Sequence, residues 1–159
     1  MQSMRWPGPA LASLMFLLAS NAPAAEGLGY DPAADPFEQL GQASTQAAAE
    51  NKLILVIAGG DWCIWCHYLQ AYLDRNDDVA RALDDTFVVV HVNYGSENRN
   101  EAFFATLPEA PGYPHFWVLA RDGALLKSQG TAALEDGGES YDRARIVAFI
   151  DEWRATLGD

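Results

Sequence analysis

The two cysteines of this chain constrain its structure more than any other feature, because they stand where one kind of local structure gives way to another. Cys63 and Cys66 are the only cysteines, and they follow the continuous apolar run 53–58 and precede a helix-like pattern. A helix that starts at the first cysteine points its free N-terminal amides at a thiolate, as a redox-active thiol requires. A structural disulfide, a metal site and covalent haem attachment are the other uses of such a pair.

The N-terminus has the features of a secretory signal peptide. Arg5 precedes an apolar run over 10–19, and Ala22-Pro23-Ala24 offers a cleavage site with small residues. The apolar run is shorter than the roughly 20 residues that span a bilayer, which favours cleavage over an uncleaved anchor. We therefore expect residues 1–24 to be a signal peptide, residues 25–159 to form one domain, and the protein to be periplasmic or secreted.

The remaining chain is strongly acidic. Once residues 1–24 are removed, 22 acidic residues face nine basic ones, because Arg5 is the only charged residue in that segment. This excess of negative charge disfavours binding to nucleic acid or to an anionic membrane. It is typical of a solvated surface, and we expect a monomer.

Hydrophobic periodicity predicts an alternation of helices and strands. Strands are predicted at 53–58, 87–93, 115–120 and 124–128, and helices at 37–51, 63–75, 79–83, 98–107 and 141–157. The first two strands are separated by helix and should be parallel, whereas Asp122-Gly123 between the last two predicts an antiparallel hairpin. The expected fold class is α/β, with a central mixed sheet flanked by helices.

The motif and its surroundings resemble the thioredoxin family. A buried strand runs into Trp62-Cys63-x-x-Cys66 at a helix start, and Tyr113-Pro114 precedes a hairpin strand. The resemblance extends over roughly 37–157 and implies a thioredoxin-like fold with three α/β/α layers. It also implies a secreted or periplasmic thiol–disulfide oxidoreductase whose redox-active group is its own disulfide, without a further cofactor.

The resemblance assigns roles to these residues. Cys63 would attack a substrate disulfide and Cys66 would resolve the mixed disulfide. Pro114 would be a cis-proline that faces the pair, with Tyr113 beside the substrate chain. Substrates would be proteins or small molecules with thiols or disulfides, and electrons would come from a thiol donor in the membrane.

Aromatic residues on either side of the thiols are candidates for substrate contact. Trp62 and Trp65 flank the cysteines, so we expect them to be partly exposed and to form a substrate rim. Trp117 and Trp153 follow the strand and helix periodicity and are predicted to lie in the core.

One position departs from the family pattern. Thioredoxins commonly have a buried acid six residues before the first cysteine, where it helps to deprotonate the resolving cysteine; this chain has Ile57 there. His91, on the neighbouring strand, and His67, on the helical face of Cys63, are candidates for proton transfer or electrostatic assistance. The alternative is that neither has a role in the reaction: His91 would be an ordinary core histidine and His67 an ordinary surface histidine.

The two residues between the cysteines indicate the direction of the reaction. Ile64 and Trp65 supply no donor for a thiolate, unlike the histidine found there in strongly oxidising relatives, and Asp61 adds negative charge. A disulfide is strongly oxidising when its reduced thiolate is unusually stable. We therefore expect a moderately reducing pair that acts on disulfides of secreted proteins.

Haem and zinc are two alternatives. Cys63-x-x-Cys66-His67 also fits c-type haem attachment with His67 as axial ligand, but all three methionines lie in 1–24 and none would remain as the second ligand. A structural zinc site needs four ligands, and only these three cluster in sequence, so we expect no metal.

The more serious alternative is a non-catalytic binding module of the same fold. In that case Trp62, Trp65 and Tyr113 would form an apolar docking surface around an inert disulfide. A purely structural disulfide is less favoured, because a loop this short contributes only about 2 kcal/mol on the chain-entropy estimate.

Overall fold

The computed structural model describes residues 27–158, which form a four-stranded sheet with helices on both faces. The strands are β1 Leu53–Gly59, β2 Phe87–Asn93, β3 His115–Leu119 and β4 Leu125–Gly130, in the order β2-β1-β3-β4. The helices are α1 Pro36–Glu50, α2 Ile64–Arg75, α3 Asp77–Thr86, α4 Glu101–Phe104 and α5 Arg143–Leu157, with a 3₁₀ helix at Thr131–Leu134. The predicted signal peptide lies outside the described residues. Within them, no helix is both long enough and apolar enough to cross a bilayer.

The strand β1 is the centre of the sheet. It pairs parallel with β2 and antiparallel with β3, and β3 pairs antiparallel with β4, so the predicted mixed sheet is confirmed. All of its residues are buried, as expected for a continuous apolar run covered on both faces. Leu55 and Ile57 pack on the side of α2, α3 and α5, whereas Ile54 and Val56 pack on the side of α1 and α4. The three-layer α/β/α arrangement is thereby confirmed.

The helix α1 has clear start and packing signals. The carboxylate of Asp35 accepts hydrogen bonds from the backbone N–H groups of Phe37 and Glu38, which caps the helix N-terminus. The small side chains of Ala43 and Ala47 are buried against the sheet, so the helix can approach it closely.

The helix predicted over 98–107 is much shorter in the structure. Only Glu101–Phe104 is helical, and Asn100 just before it has a left-handed backbone with φ of 48°. The side chain of Asn100 donates to the carbonyl of Asn93 at 2.8 Å, and that of Asn98 accepts from the N–H of Asn100 at 2.9 Å. These side-chain bonds compete with a helical backbone at this point.

The segment after α2 also differs from the prediction in detail. The helix α3 covers Asp77–Thr86 rather than 79–83, and Asn76 stands at its N-cap position without a side-chain capping bond. Its side-chain amide instead donates to the carbonyl of Tyr72 at 2.7 Å and so closes the end of α2. Asn76 therefore terminates one helix rather than capping the next.

Two leucines on different strands test where the stability of the fold lies. Leu55 is fully buried on β1, opposite Val89 and Val118, whereas Leu126 on the edge strand β4 is 46% exposed. Leu55→Ala should lower the free energy of unfolding by about 3 kcal/mol, because it leaves a cavity in the core. Leu126→Ala should lower it by less than about 0.5 kcal/mol. Urea denaturation followed by circular dichroism measures both; equal losses would contradict a core centred on β1.

Candidate active site

The cysteine motif begins where β1 leaves the sheet. Cys63 is the N-cap residue of α2, and its N–H donates to the carbonyl of Gly60 at 2.9 Å. The Sγ atom of Cys63 accepts a hydrogen bond from the backbone N–H of Cys66 at 3.2 Å. The two cysteines form a disulfide, with their Cα atoms 5.2 Å apart. The first sulfur therefore occupies the place where a helix N-terminus stabilises negative charge.

The two cysteines are equally buried. Cys63 and Cys66 are each 3% exposed, so accessibility does not distinguish the attacking from the resolving cysteine. Both side chains belong to one core cluster, against which the partly buried Trp65 and Tyr113 pack. The difference between the cysteines lies in what surrounds each sulfur rather than in exposure.

Three aromatic side chains form one edge of the site, and we call them the aromatic rim: Trp62, Tyr94 and Tyr113. Trp62 is 57% exposed, and its indole N–H donates to the carbonyl of Tyr94 at 2.6 Å. The rings of Tyr94 and Tyr113 stack at 4.7 Å between centroids, and Trp62 meets Tyr113 edge-on at 5.8 Å. A Cβ atom at Gly60 would come within 2.5 Å of the indole nitrogen. Glycine at this position therefore lets the Trp62 ring fold back.

Tyr94 was not among the predicted site residues. It directly follows β2, and its N–H donates to the carbonyl of Gly59 at the end of β1. The carboxyl ends of neighbouring parallel strands meet at one edge of a sheet. The position of Tyr94 directly after β2 was therefore the sequence signal that could have placed it at the site.

Burial, with a further contribution from Tyr94, raises the pKa of Tyr113 to about 12, so the phenol of Tyr113 is neutral at pH 7.

The predicted proline lies next to the end of β1. The peptide bond between Tyr113 and Pro114 is cis, and Pro114 is buried. The following residue, His115, pairs with Ala58 across the sheet, which brings the loop beside the cysteine motif. The hydroxyl of Thr131 donates to the carbonyl of Pro114 at 2.7 Å and holds the loop from the other side.

The second tryptophan of the motif faces a different neighbourhood. Trp65 meets Tyr68 and Tyr141 edge-on, at 5.2 Å and 6.1 Å, and the Tyr141 hydroxyl donates to the Trp65 carbonyl at 3.3 Å. Trp65 is half-buried, and both of these ring contacts are with side chains outside the aromatic rim. Ile64, which was not predicted as a contact residue, is 56% exposed. The exposed apolar surface is thus formed by Trp62 and Ile64 more than by Trp65.

The first candidate histidine is tied to the backbone of its own motif. Nε2 of His67 lies 2.8 Å from the carbonyl oxygen of Asp61, so a proton on this nitrogen is donated there. His67 is exposed on α2. Its observed contact braces the turn that leads into Cys63.

The second candidate histidine lines a cavity behind Cys66. The cavity has a volume of about 290 Å³, and its walls include Leu28, Tyr30, Ile57, Cys66, Leu69 and His91. Burial lowers the pKa of His91 to about 4, so its imidazole is neutral at pH 7. The His91 ring meets the ring of Tyr30 edge-on at 4.9 Å.

Tyr30 was not among the predicted site residues, yet it lies close to the sulfur of Cys66. A Cβ atom at Gly59 would come within 2.4 Å of Cys66 Sγ and 2.8 Å of the Tyr30 hydroxyl oxygen, so these two atoms occupy the space that a side chain would fill. Tyr30 is 7% exposed. Burial raises its pKa above the ordinary value, and Tyr141 and Asp61 add to this effect. No local sequence pattern indicates that two residues this far apart in the chain lie near each other.

These features together are suited to exchange between thiols and disulfides. A helix N-terminus at Cys63 favours a thiolate there, and an exposed apolar edge lies beside it. Among residues 27–158 no group of three or more histidine, cysteine or acidic side chains is arranged to hold a metal ion.

Comparisons with known proteins agree with this fold. A solved structure described as a disulphide isomerase from Xylella fastidiosa Temecula1 is 24% identical and has a TM-score of 0.68, over 81% of this chain and 98% of its own. The C-terminal domain of DsbD from Neisseria meningitidis, in the oxidised form, is 19% identical with a TM-score of 0.54, over 77% of this chain and 96% of its own. At these identities the similarity shows the fold.

A search of curated protein sequences finds no significant match. A family model described as thioredoxin-like matches residues 35–120, more than half of the chain, and this segment contains Cys63, Cys66 and Pro114. The chain therefore belongs to the thioredoxin-like family.

Proposed function

We propose that this protein is a thiol–disulfide oxidoreductase that reduces disulfides in other proteins through Cys63 and Cys66. The observation that supports this most directly is the position of Cys63 Sγ at the N-cap of α2, where it accepts the N–H of Cys66. A disulfide that only linked two segments would not need this placement. We also propose that the protein is periplasmic or secreted, because residues 1–24 have the sequence features of a signal peptide.

The reaction balances as two exchanges. In the reduced protein the Cys63 thiolate attacks one sulfur of a substrate disulfide; a Cys63–substrate disulfide forms and the other substrate sulfur leaves as a thiolate. The Cys66 thiolate then attacks Cys63 Sγ, the protein disulfide re-forms, and the second substrate thiolate leaves. Two electrons pass from the protein to the substrate. A membrane thiol donor would return them to the protein.

The reducing direction is supported by what surrounds the residues between the cysteines. Ile64 is an exposed aliphatic side chain, and the Trp65 ring makes its contacts with Tyr68 and Tyr141. Neither side chain brings a positive charge to Cys63. A thiolate without such extra stabilisation belongs to a disulfide of low potential, because the reduced form is not favoured.

The exposed surface suggests what kind of substrate the protein meets. Trp62 and Ile64 are large apolar side chains, each more than half exposed, next to the disulfide. Apolar patches of this kind bind apolar segments of other chains. Protein substrates with an accessible disulfide are therefore proposed ahead of small charged thiols.

A second candidate reaction is disulfide isomerisation, because one similar structure is described as a disulphide isomerase. The non-catalytic binding module remains the alternative outside catalysis. Membership of the thioredoxin-like family weighs against c-type haem attachment. The bonds at the motif weigh against it too, because Cys63 and Cys66 are joined to each other and His67 bonds to the Asp61 carbonyl.

Serine substitutions at the two cysteines should have different effects. Cys63→Ser should abolish acceleration of insulin reduction by dithiothreitol, because no nucleophile remains at the N-cap. Cys66→Ser should instead accumulate a mixed disulfide between Cys63 and the substrate, visible by non-reducing electrophoresis and mass spectrometry. Each variant is the matched control for the other. Wild-type protein that does not accelerate insulin reduction, with no mixed disulfide in Cys66→Ser, would favour the binding module.

The reduction potential tests the direction separately. Equilibration with glutathione should give a value near the roughly −270 mV of thioredoxin and far below the roughly −120 mV of the strong periplasmic oxidant. Trp65→His should raise the potential by several tens of mV, because an imidazolium beside Cys63 stabilises its thiolate. Trp65→Phe is the control, since it retains an aromatic ring without a charge. A wild-type potential near that of the oxidant would refute the reducing direction.

A further inference from the structure

The space above Gly59 holds a sulfur and a hydroxyl side by side. A Cβ atom there would lie 2.4 Å from Cys66 Sγ and 2.8 Å from the Tyr30 hydroxyl oxygen, both far inside normal contact distance. The missing side chain at the end of β1 therefore leaves room for the Tyr30 hydroxyl and the Cys66 sulfur in the same space. Tyr30 precedes α1, so the N-terminal segment contributes to the same cavity wall as Cys66.

We propose that the Tyr30 hydroxyl donates a hydrogen bond to the Cys66 thiolate and so promotes the step in which Cys66 resolves the mixed disulfide. This inference depends on the proposed function, because it assigns a partner to the second cysteine of that reaction. Ile57, the β1 residue in the same core cluster as Cys66, has an apolar side chain that cannot assist the thiol. The Tyr30 hydroxyl would supply the polar group that Ile57 lacks.

The other groups around the cavity are less suited to this role. His91 is neutral at pH 7 and presents its ring edge-on to Tyr30. The remaining titratable groups of the cavity wall are carboxylates of α2 and α3: Asp74, Asp77 and Asp84. Their negative charge would oppose a thiolate. The Tyr30 hydroxyl is the neutral donor next to the sulfur.

Two further groups influence Tyr30 from neighbouring segments. Tyr141, whose own hydroxyl donates to the Trp65 carbonyl, and Asp61 both disfavour ionisation of Tyr30, and burial has the largest effect in the same direction. The hydroxyl therefore keeps its proton throughout the neutral range. It acts as a donor and not as a base.

The resolving step begins when the Cys66 thiol loses its proton. The Cys66 thiol gives its proton to water in the cavity, and the Tyr30 O–H stabilises the thiolate that remains. The thiolate attacks Cys63 Sγ, the bond between Cys63 and the substrate breaks, and the departing substrate thiolate takes up a proton from solvent. Tyr30 is unchanged at the end of the step.

Tyr30→Phe tests this with a single-atom change. In reduced protein labelled at cysteine Cβ, the NMR titration of Cys66 should show about tenfold less thiolate at a given pH in Tyr30→Phe than in wild type, the size expected for one hydrogen bond to a charged group. Tyr72→Phe is the matched control, because Tyr72 is a buried tyrosine of the same core cluster whose hydroxyl has no partner among residues 27–158. Its Cys66 titration should equal that of wild type.

A fluorinated tyrosine placed at position 30 provides a second test with the opposite sign. Its hydroxyl is a stronger donor in a ring of nearly the same shape, so the thiolate fraction of Cys66 should rise. Unchanged Cys66 titration in both position-30 variants, or an equal shift in Tyr72→Phe, would overturn the proposal. The titration needs no substrate, so its result is independent of whether the wild-type protein reduces insulin.

Discussion

Close packing over Gly59, which ends β1, and Gly60, which follows it, is the constraint on which the candidate active site depends. Hydrogen bonds to β2 and β3 hold this strand on both edges, so its end has a fixed position. Gly59 leaves room for Cys66 Sγ on one side, and Gly60 leaves room for the indole of Trp62. Since a side chain at either position would meet these atoms within 3 Å, the glycine pair lets a buried thiol and an exposed aromatic ring share one turn.

The two sides of the disulfide consequently have different physical character. The front, with Trp62 and Ile64, is apolar and exposed, which suits contact with another chain. The back is a partly enclosed cavity, whose wall includes Tyr30 and His91, both neutral at pH 7. Electrostatic interactions are stronger where water is scarce, so one oriented O–H group has a larger effect on a thiolate there than it would at the front.

Much of this architecture could be predicted from the sequence. The strand positions, the parallel and hairpin pairings and a helix starting at the cysteines follow from continuous apolar runs and the Asp-Gly turn. Trp117 and Trp153 are buried as predicted. Local patterns do not reveal the side-chain hydrogen bonds of Asn76 and Asn100, which changed the helix ends. They also do not reveal that Tyr30 lies near the Cys66 sulfur, because the two residues are far apart in the chain.

The proposed donor at Tyr30 is compatible with the proposed reducing direction, because its effect on the reduction potential is small. A hydrogen bond that increases a thiolate fraction tenfold corresponds to about 1.4 kcal/mol, or about 30 mV for a two-electron couple. The potentials of a reductant and a strong oxidant differ by roughly 150 mV. Stabilising Cys66 therefore cannot convert one into the other, whereas a positive charge beside Cys63 acts on the attacking thiolate itself. Under these two proposals, the back of the site would set how fast the mixed disulfide is resolved, and the residues between the cysteines would set the direction of electron flow.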